Sequence, residues 1–102
     1  MTARYRLTET AEDDLAAILH YVAERDGGER ALHVHSEFVE AFGHLASMPG
    51  SGAKRVRLTG DRIRWWTVFR WVVLYDPEAS PLTILRVIHG ARDLDRILRP
   101  DD

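Results

Sequence analysis

A chain of 102 residues and 11.7 kDa suffices for one core that buries well over half of its unfolded surface, and is too short for two. A hydrophobic share of 45% beside 29% charged residues excludes wholesale disorder; no apolar run spans a bilayer, the opening MTARYRLTET lacks a leader's apolar centre, and zero cysteines exclude disulfides and thiolate chemistry. The net charge of −2 excludes a uniformly basic surface but conceals two unlike halves: residues 1–50 carry four arginines against nine acids, and residues 51–102 carry ten basic residues against seven acids.

The opening Ala3–Leu7 alternates as a short strand does, and Thr8 is placed to cap a helix whose first turns hold Glu9, Glu12, Asp13 and Asp14. Leu15, Ile18, Leu19, Val22 and Ala23 recur at the three/four spacing of one apolar helix face, and Gly27-Gly28 ends the run. A second helix is expected from about Glu29, with Leu32, His35, Phe38, Val39, Phe42 and Leu45 inward, stopped by Met48-Pro49-Gly50-Ser51-Gly52. The period then changes. Val56–Leu58 suits a short strand, Ile63–Val68 a longer one, and Trp71–Tyr75 one that is apolar on both faces. Asp76–Pro81 reads as a turn joining it in a hairpin to Leu82–His89. Gly90 breaks that strand, and Asp93, Leu94, Ile97 and Leu98 suggest a short closing helix or turn. The expected fold is a single α+β domain over residues 1–102, ordered β-α-α-β-β-β, with a helical hairpin on one face of a mostly antiparallel sheet.

Most chemical templates fail on spacing. Gly50–Lys54 lacks the full phosphate-loop pattern and precedes a strand rather than a helix. His33 and His35 lie on nearly opposite sides of a helix, while His20 with Glu24 and His44 with Glu40 read as exposed helical pairs, so no metal is expected. Glu12, Asp13 and Asp14 point in different directions at a helix start, where acids are favoured anyway.

Two regions stay open. Lys54–Arg70 holds six basic residues against Asp61 alone, interleaved with Trp65 and Trp66, and could face a polyanion or an acidic protein segment. Strand alternation puts those two tryptophans on opposite faces, so one must turn away from the helices toward solvent, a partner or a loop. At the C-terminal end, Arg86, His89 and Arg92 have the residue types to bind a phosphate and move a proton. The same residues fit a structural arrangement in which Arg92 and Asp93 pair with neighbours and His89 caps the strand.

These fragments taken in order carry a resemblance. Tyr5-Arg6-Leu7-Thr8, then Ala11-Glu12-x-Asp14-Leu15-x-x-Ile18 and Tyr21, Met48-Pro49-Gly50-x-Gly52, Val73-Leu74-Tyr75 and Ile84 through Asp93 resemble the ParE branch of the RelE/ParE toxin superfamily, over residues 4 to 98. The resemblance implies a toxin of a type II toxin–antitoxin pair, in the cytoplasm, without cofactor, held in a hetero-oligomer with a ParD-like antitoxin. Arg64, Trp66, Arg70 and Trp71 are the expected antitoxin contacts. ParE-like members poison DNA gyrase, which would make Arg86, His89 and Arg92 target contacts and the protein no enzyme. RelE-like members cut messenger RNA in the ribosome, which would make the same three residues catalytic. The single lysine and the acidic total weigh toward gyrase. A third possibility is a non-toxic antitoxin-binding module of the same fold.

Overall fold

The computed structural model describes residues 4–97. Ala3 of the expected first strand and Leu98 of the closing helix lie outside the described residues. Strand β1 (Tyr5–Leu7) leads into helix α1 (Glu9–Asp26) and helix α2 (Gly28–Ser47); a single 3-10 turn (Pro49–Ser51), strand β2 (Ala53–Lys54) and a one-turn helix α3 (Val56–Thr59) follow. Strands β3 (Arg64–Val68), β4 (Trp71–Asp76) and β5 (Leu82–His89) build the sheet, and helix α4 (Gly90–Ile97) closes the described chain. The sheet order is β1-β5-β4-β3-β2, parallel only between β1 and β5. The expected α+β architecture is therefore the observed one.

Thr8 does more than cap α1. Its hydroxyl accepts from the Ala11 N–H (3.1 Å) and donates to the Leu85 carbonyl (2.9 Å), while its own N–H reaches Ile84 O (3.0 Å). One residue thus ends β1, starts α1 and fastens both to β5.

Along α1, Ala11 and Val22 are buried and Leu15, Ile18 and Leu19 pack beside them. In α2 the inward face is Val34, Phe38, Ala41, Phe42 and Leu45. Phe38, Phe42 and Leu45 are where the periodicity put them. His35 is exposed, and Leu32 (71% exposed) and Val39 (41%) turn outward, because the helix is rotated so that Val34 and Ala41 flank Phe38, Phe42 and Leu45 instead. These helix faces meet Val68, Trp71, Val73, Tyr75, Leu82, Ile84 and Val87 of the sheet in the main core.

The other side of the sheet holds a second, smaller core that the sequence pattern does not announce: Trp65, Leu74 and Ile88, covered by Leu58, Ile63, Val72 and Leu94. Its lid corrects an expectation. Val56–Leu58 is no strand but part of α3, because Gly60 at φ 79° closes a helical turn with its N–H on Val56 O (3.0 Å). That turn brings Leu58 over the Trp65 indole and Thr59 Oγ1 to its Nε1 (2.8 Å).

The Met48–Gly52 break is tied down from below. Tyr75, fully buried, donates to Pro49 O (2.7 Å) and accepts from the Gly52 N–H (2.9 Å), and Arg64 donates to Gly52 O (2.6 Å) and Gly50 O (3.2 Å). A side chain on Gly52 would collide with Tyr75 Oη at 2.7 Å and Trp65 O at 2.8 Å. Among the described residues, no helix is long and apolar enough to cross a membrane.

Candidate functional site

Strand β5 runs past the end of β1, and its edge there would be left open. Asp14 of α1 fills in for the missing strand: Oδ2 accepts from the Val87 N–H (2.9 Å) and from Arg86 Nε (2.7 Å), and Oδ1 accepts from Arg86 Nη2 (3.2 Å). The fork-to-fork geometry ties the guanidinium of Arg86 to the helical hairpin and strengthens its hold on its proton.

At the end of β5 the chain enters α4 through a cap made by the two residues singled out at sequence level. His89 Nδ1 accepts from the Arg92 N–H (3.1 Å), which leaves Nε2 to carry the ring's own proton, and Asp93 Oδ2 accepts from the His89 N–H (2.8 Å). Asp93 also pairs with Arg92 Nε (3.2 Å). Burial pushes the Asp93 carboxyl up, but the His89 N–H and the Arg92 guanidinium outweigh it and hold the group below its ordinary value.

Beside this cap lies a cleft of about 320 Å³ between α1 and the sheet, lined by His89 and Arg92 together with Tyr21, Arg70 and Trp71. A second, of about 210 Å³, shares Tyr21, Arg70 and Trp71 and continues toward Arg25 and Arg30 at the α1–α2 turn. The structure brings His89 and Arg92 to one cleft; Arg86 does not line it and is bonded to Asp14, which does. Among the described residues, no three of His, Cys, Asp or Glu are grouped so as to hold a metal.

The four residues of the basic, tryptophan-rich segment do not share one surface. Arg64 and Arg70 sit at opposite ends of the β3–β4 hairpin, since Arg64 pairs with Tyr75 while Val68 pairs with Trp71 around the turn. Arg64 holds the Gly50–Gly52 loop. Trp66 is half-buried on the helix side, its ring 5.2 Å from that of His44, and His44 turns to Ser51 Oγ (3.1 Å) rather than to Glu40. Trp71 is buried against Phe38 (ring centroids 5.9 Å apart) and shows only its rim to the two clefts. The expected His20–Glu24 helical pair is present at 3.1 Å and exposed. The tryptophan that turns away from the helical hairpin is Trp65, and the one-turn helix α3 covers it.

Sequence reasoning missed Phe69. It occupies the first position of the two-residue β3–β4 turn at φ 56°, a left-handed backbone on a residue that is neither Gly nor Asn, with the ring about half exposed. The Val68-Phe69-Arg70-Trp71 spacing allowed a hairpin there, but Phe69 carries no turn signal of its own.

Comparison with known proteins places these features. The family model described as ParE toxin of the type II toxin–antitoxin system, parDE, matches residues 5–94. No curated protein matches. Among solved structures, a chain of the chromosomal ParDE toxin–antitoxin system from P. aeruginosa has the same fold, with a TM-score of 0.70 over 83% of this chain and 92% of that one at 24% identity.

Proposed function

With residues 5–94 matched by its model, the chain belongs to the ParE toxin family of type II toxin–antitoxin systems, and we propose that it poisons DNA gyrase in the cytoplasm and is neutralised by a ParD-type antitoxin in a hetero-oligomeric complex. The family match carries the proposal, with the whole chain acting as one toxin domain. The solved neighbour comes from a ParDE system, which supports the antitoxin half.

The C-terminal geometry supports gyrase over RNA. A ribosome-dependent nuclease needs a mobile base and an uncommitted cation around the scissile phosphate. Here the three candidate groups are committed: Arg86 is held by Asp14, Arg92 by Asp93, and His89 spends Nδ1 on the cap of α4, which leaves Arg70 as the unpaired cation of that cleft among the described residues and no free base beside it. Arg86, His89 and Arg92 then act as target contacts on a rigid corner. For the antitoxin, β2 pairs only with Arg64 and Trp65, so among the described residues the outer edge of β3 from Trp66 to Val68 has no strand partner. An open cleft of about 350 Å³ between α2 and that edge runs from His44 and Trp66 to Phe69. An extended segment laid there would start near Arg64, cover Trp66 and finish at Arg70 and the rim of Trp71. Charge reversal at Arg64 and Arg70 is expected to weaken the complex; unchanged affinity sinks this placement.

The deciding experiment incubates purified toxin with gyrase, relaxed plasmid and ATP, beside a reaction with ribosomes and messenger RNA. Lost supercoiling or trapped cleaved DNA with intact RNA is the expected result. RNA cut only in the presence of ribosomes overturns it and makes Arg86, His89 and Arg92 the catalytic candidates. Undiminished growth of a host producing the soluble protein removes both toxic readings and leaves an antitoxin-binding module.

A further inference from the structure

At the end of the molecule where the α1–α2 turn, the β3–β4 turn and the end of β5 converge, three arginines each lie over an aromatic ring. The Arg25 guanidinium is 6.0 Å from the Tyr21 ring centroid, Arg30 is 5.4 Å from Phe69 and Arg70 is 5.8 Å from Trp71. None of the three forms an ion pair among the described residues, whereas Arg62, Arg86 and Arg92 each do. Arg25 spends one N–H on Tyr21 Oη (2.7 Å). Of the carboxylates lining the two connected clefts, Asp14 and Asp93 are bonded to arginine and to backbone N–H, and Asp26 lies near Arg25; Phe69 stands at the rim between these clefts and the neighbouring one, where Glu37 and Glu40 are the acids.

We propose that this groove binds a nucleic-acid single strand, its phosphates on Arg25, Arg30 and Arg70 and its bases on the exposed rings of Tyr21 and Phe69. An arginine beside a ring and outside any ion pair keeps N–H groups free to grip a phosphate; Arg25 sits at the hydroxyl edge of Tyr21, to which it donates one of them. Tyr21 and Phe69 are each about half exposed, and a ring face beside a free cation is the combination on which unpaired bases stack. Phe69 adds backbone strain to this pattern. Its φ of 56° is a backbone that glycine adopts freely, so an aromatic there is strained, and the ring is nevertheless displayed between Arg30 and His33 (ring centroids 6.1 Å apart). A purely carboxylate segment such as poly-glutamate would satisfy the charges, but it has no aromatic ring to stack on Tyr21 and Phe69. Strand binding in this groove does not depend on gyrase being the target, and an antitoxin segment finishing at Arg70 would cover part of it.

The test is fluorescence anisotropy of the full chain with labelled ten-nucleotide oligo-dT and oligo-U at low salt, with a poly-glutamate peptide as competitor. Binding is expected with a log–log salt slope of about 2, as three phosphate contacts to a single strand give. The Arg30→Glu/Arg70→Glu double variant is expected to lose at least about tenfold in affinity, while Arg57→Glu on α3 binds as the parent does. Phe69→Gly, whose turn glycine tolerates, keeps a cooperative melt and yet binds more weakly. A preference between the two oligonucleotides supports the assignment and names the source, and equal affinity supports recognition through phosphates and rings alone. Absent binding, binding untouched by the double variant or by Phe69→Gly, or competition by poly-glutamate as strong as by unlabelled oligonucleotide overturns it.

Discussion

At the level of single residues, Tyr75 and Gly52 carry the consequence of a closed hydrogen-bond set. The phenol both donates and accepts beneath the Met48–Gly52 loop, so Tyr75→Phe leaves Pro49 O and the Gly52 N–H without partners; it is expected to cost about 1–3 kcal/mol in chemical denaturation. Gly52→Ala puts a methyl against a backbone oxygen that cannot swing away and is expected to cost a similar amount, about 1–3 kcal/mol. The same burial raises the Tyr75 pKa above its ordinary value of 10.0, against the opposing Gly52 N–H and the Arg64 charge. A raised value in the folded state means the folded protein keeps the proton that the unfolded chain gives up. The associated stability is therefore complete below pH 10.0 and is lost as pH rises through the higher folded value. Alkaline unfolding curves should show this loss, and the Tyr75→Phe variant, less stable at neutral pH, should lack that limb.

Between elements, the informative contacts are those in which a side chain completes what a strand or helix leaves open. Asp14→Ala strips the Val87 N–H of its acceptor and is expected to cost about 1–3 kcal/mol and to speed exchange of that one amide, whereas Asp14→Asn keeps an acceptor and loses less. Equal exchange in the two variants would show that Asp14 does not seal the β5 edge. The β5–α4 junction carries a pH signature. Asp93 is held below its ordinary value of 3.8, so its contribution is present above pH 3.8 and lost as pH falls through the lower folded value. Acid is expected to release α4 first, visible as early exposure of Leu94, and Asp93→Asn, which cannot titrate, should loosen α4 already at neutral pH and lack that acid limb.

For the molecule as a whole, two cores on either side of one sheet divide the tryptophans by role. Trp65→Ala empties the centre of the smaller core and is expected to cost about 3–5 kcal/mol, so at the stability of an ordinary domain it unfolds much of the population near physiological temperature. Trp66→Ala removes a half-buried ring at the rim of the main core, should cost clearly less, and should instead lower affinity for the antitoxin. Melting and complex formation measured on both variants separate the two; a Trp66→Ala protein with full antitoxin affinity would remove Trp66 from the proposed interface.

The order of the main elements outside residues 53–59, the Thr8 cap, the inward stripe of α1, the break at Pro49 and the β4–β5 hairpin were legible in the chain, because caps, breakers and short-range periodicity act through residues a few positions apart. The family resemblance was legible for the same reason, being carried by ordered local fragments. The rotation of α2 was not: outward Leu32 and Val39 are as apolar as inward Val34 and Ala41, and only contact with the sheet chooses between two overlapping stripes. Tertiary structure alone decided that Trp65 lies under α3, that Arg64 and Arg70 stand at opposite ends of one hairpin, and that Arg86 and His89 spend their hydrogen bonds on Asp14 and on a helix cap. It alone joined Arg25, Arg30 and Arg70, because a charge becomes part of a site through neighbours in space, and the fold draws those neighbours from three separate turns and strand ends.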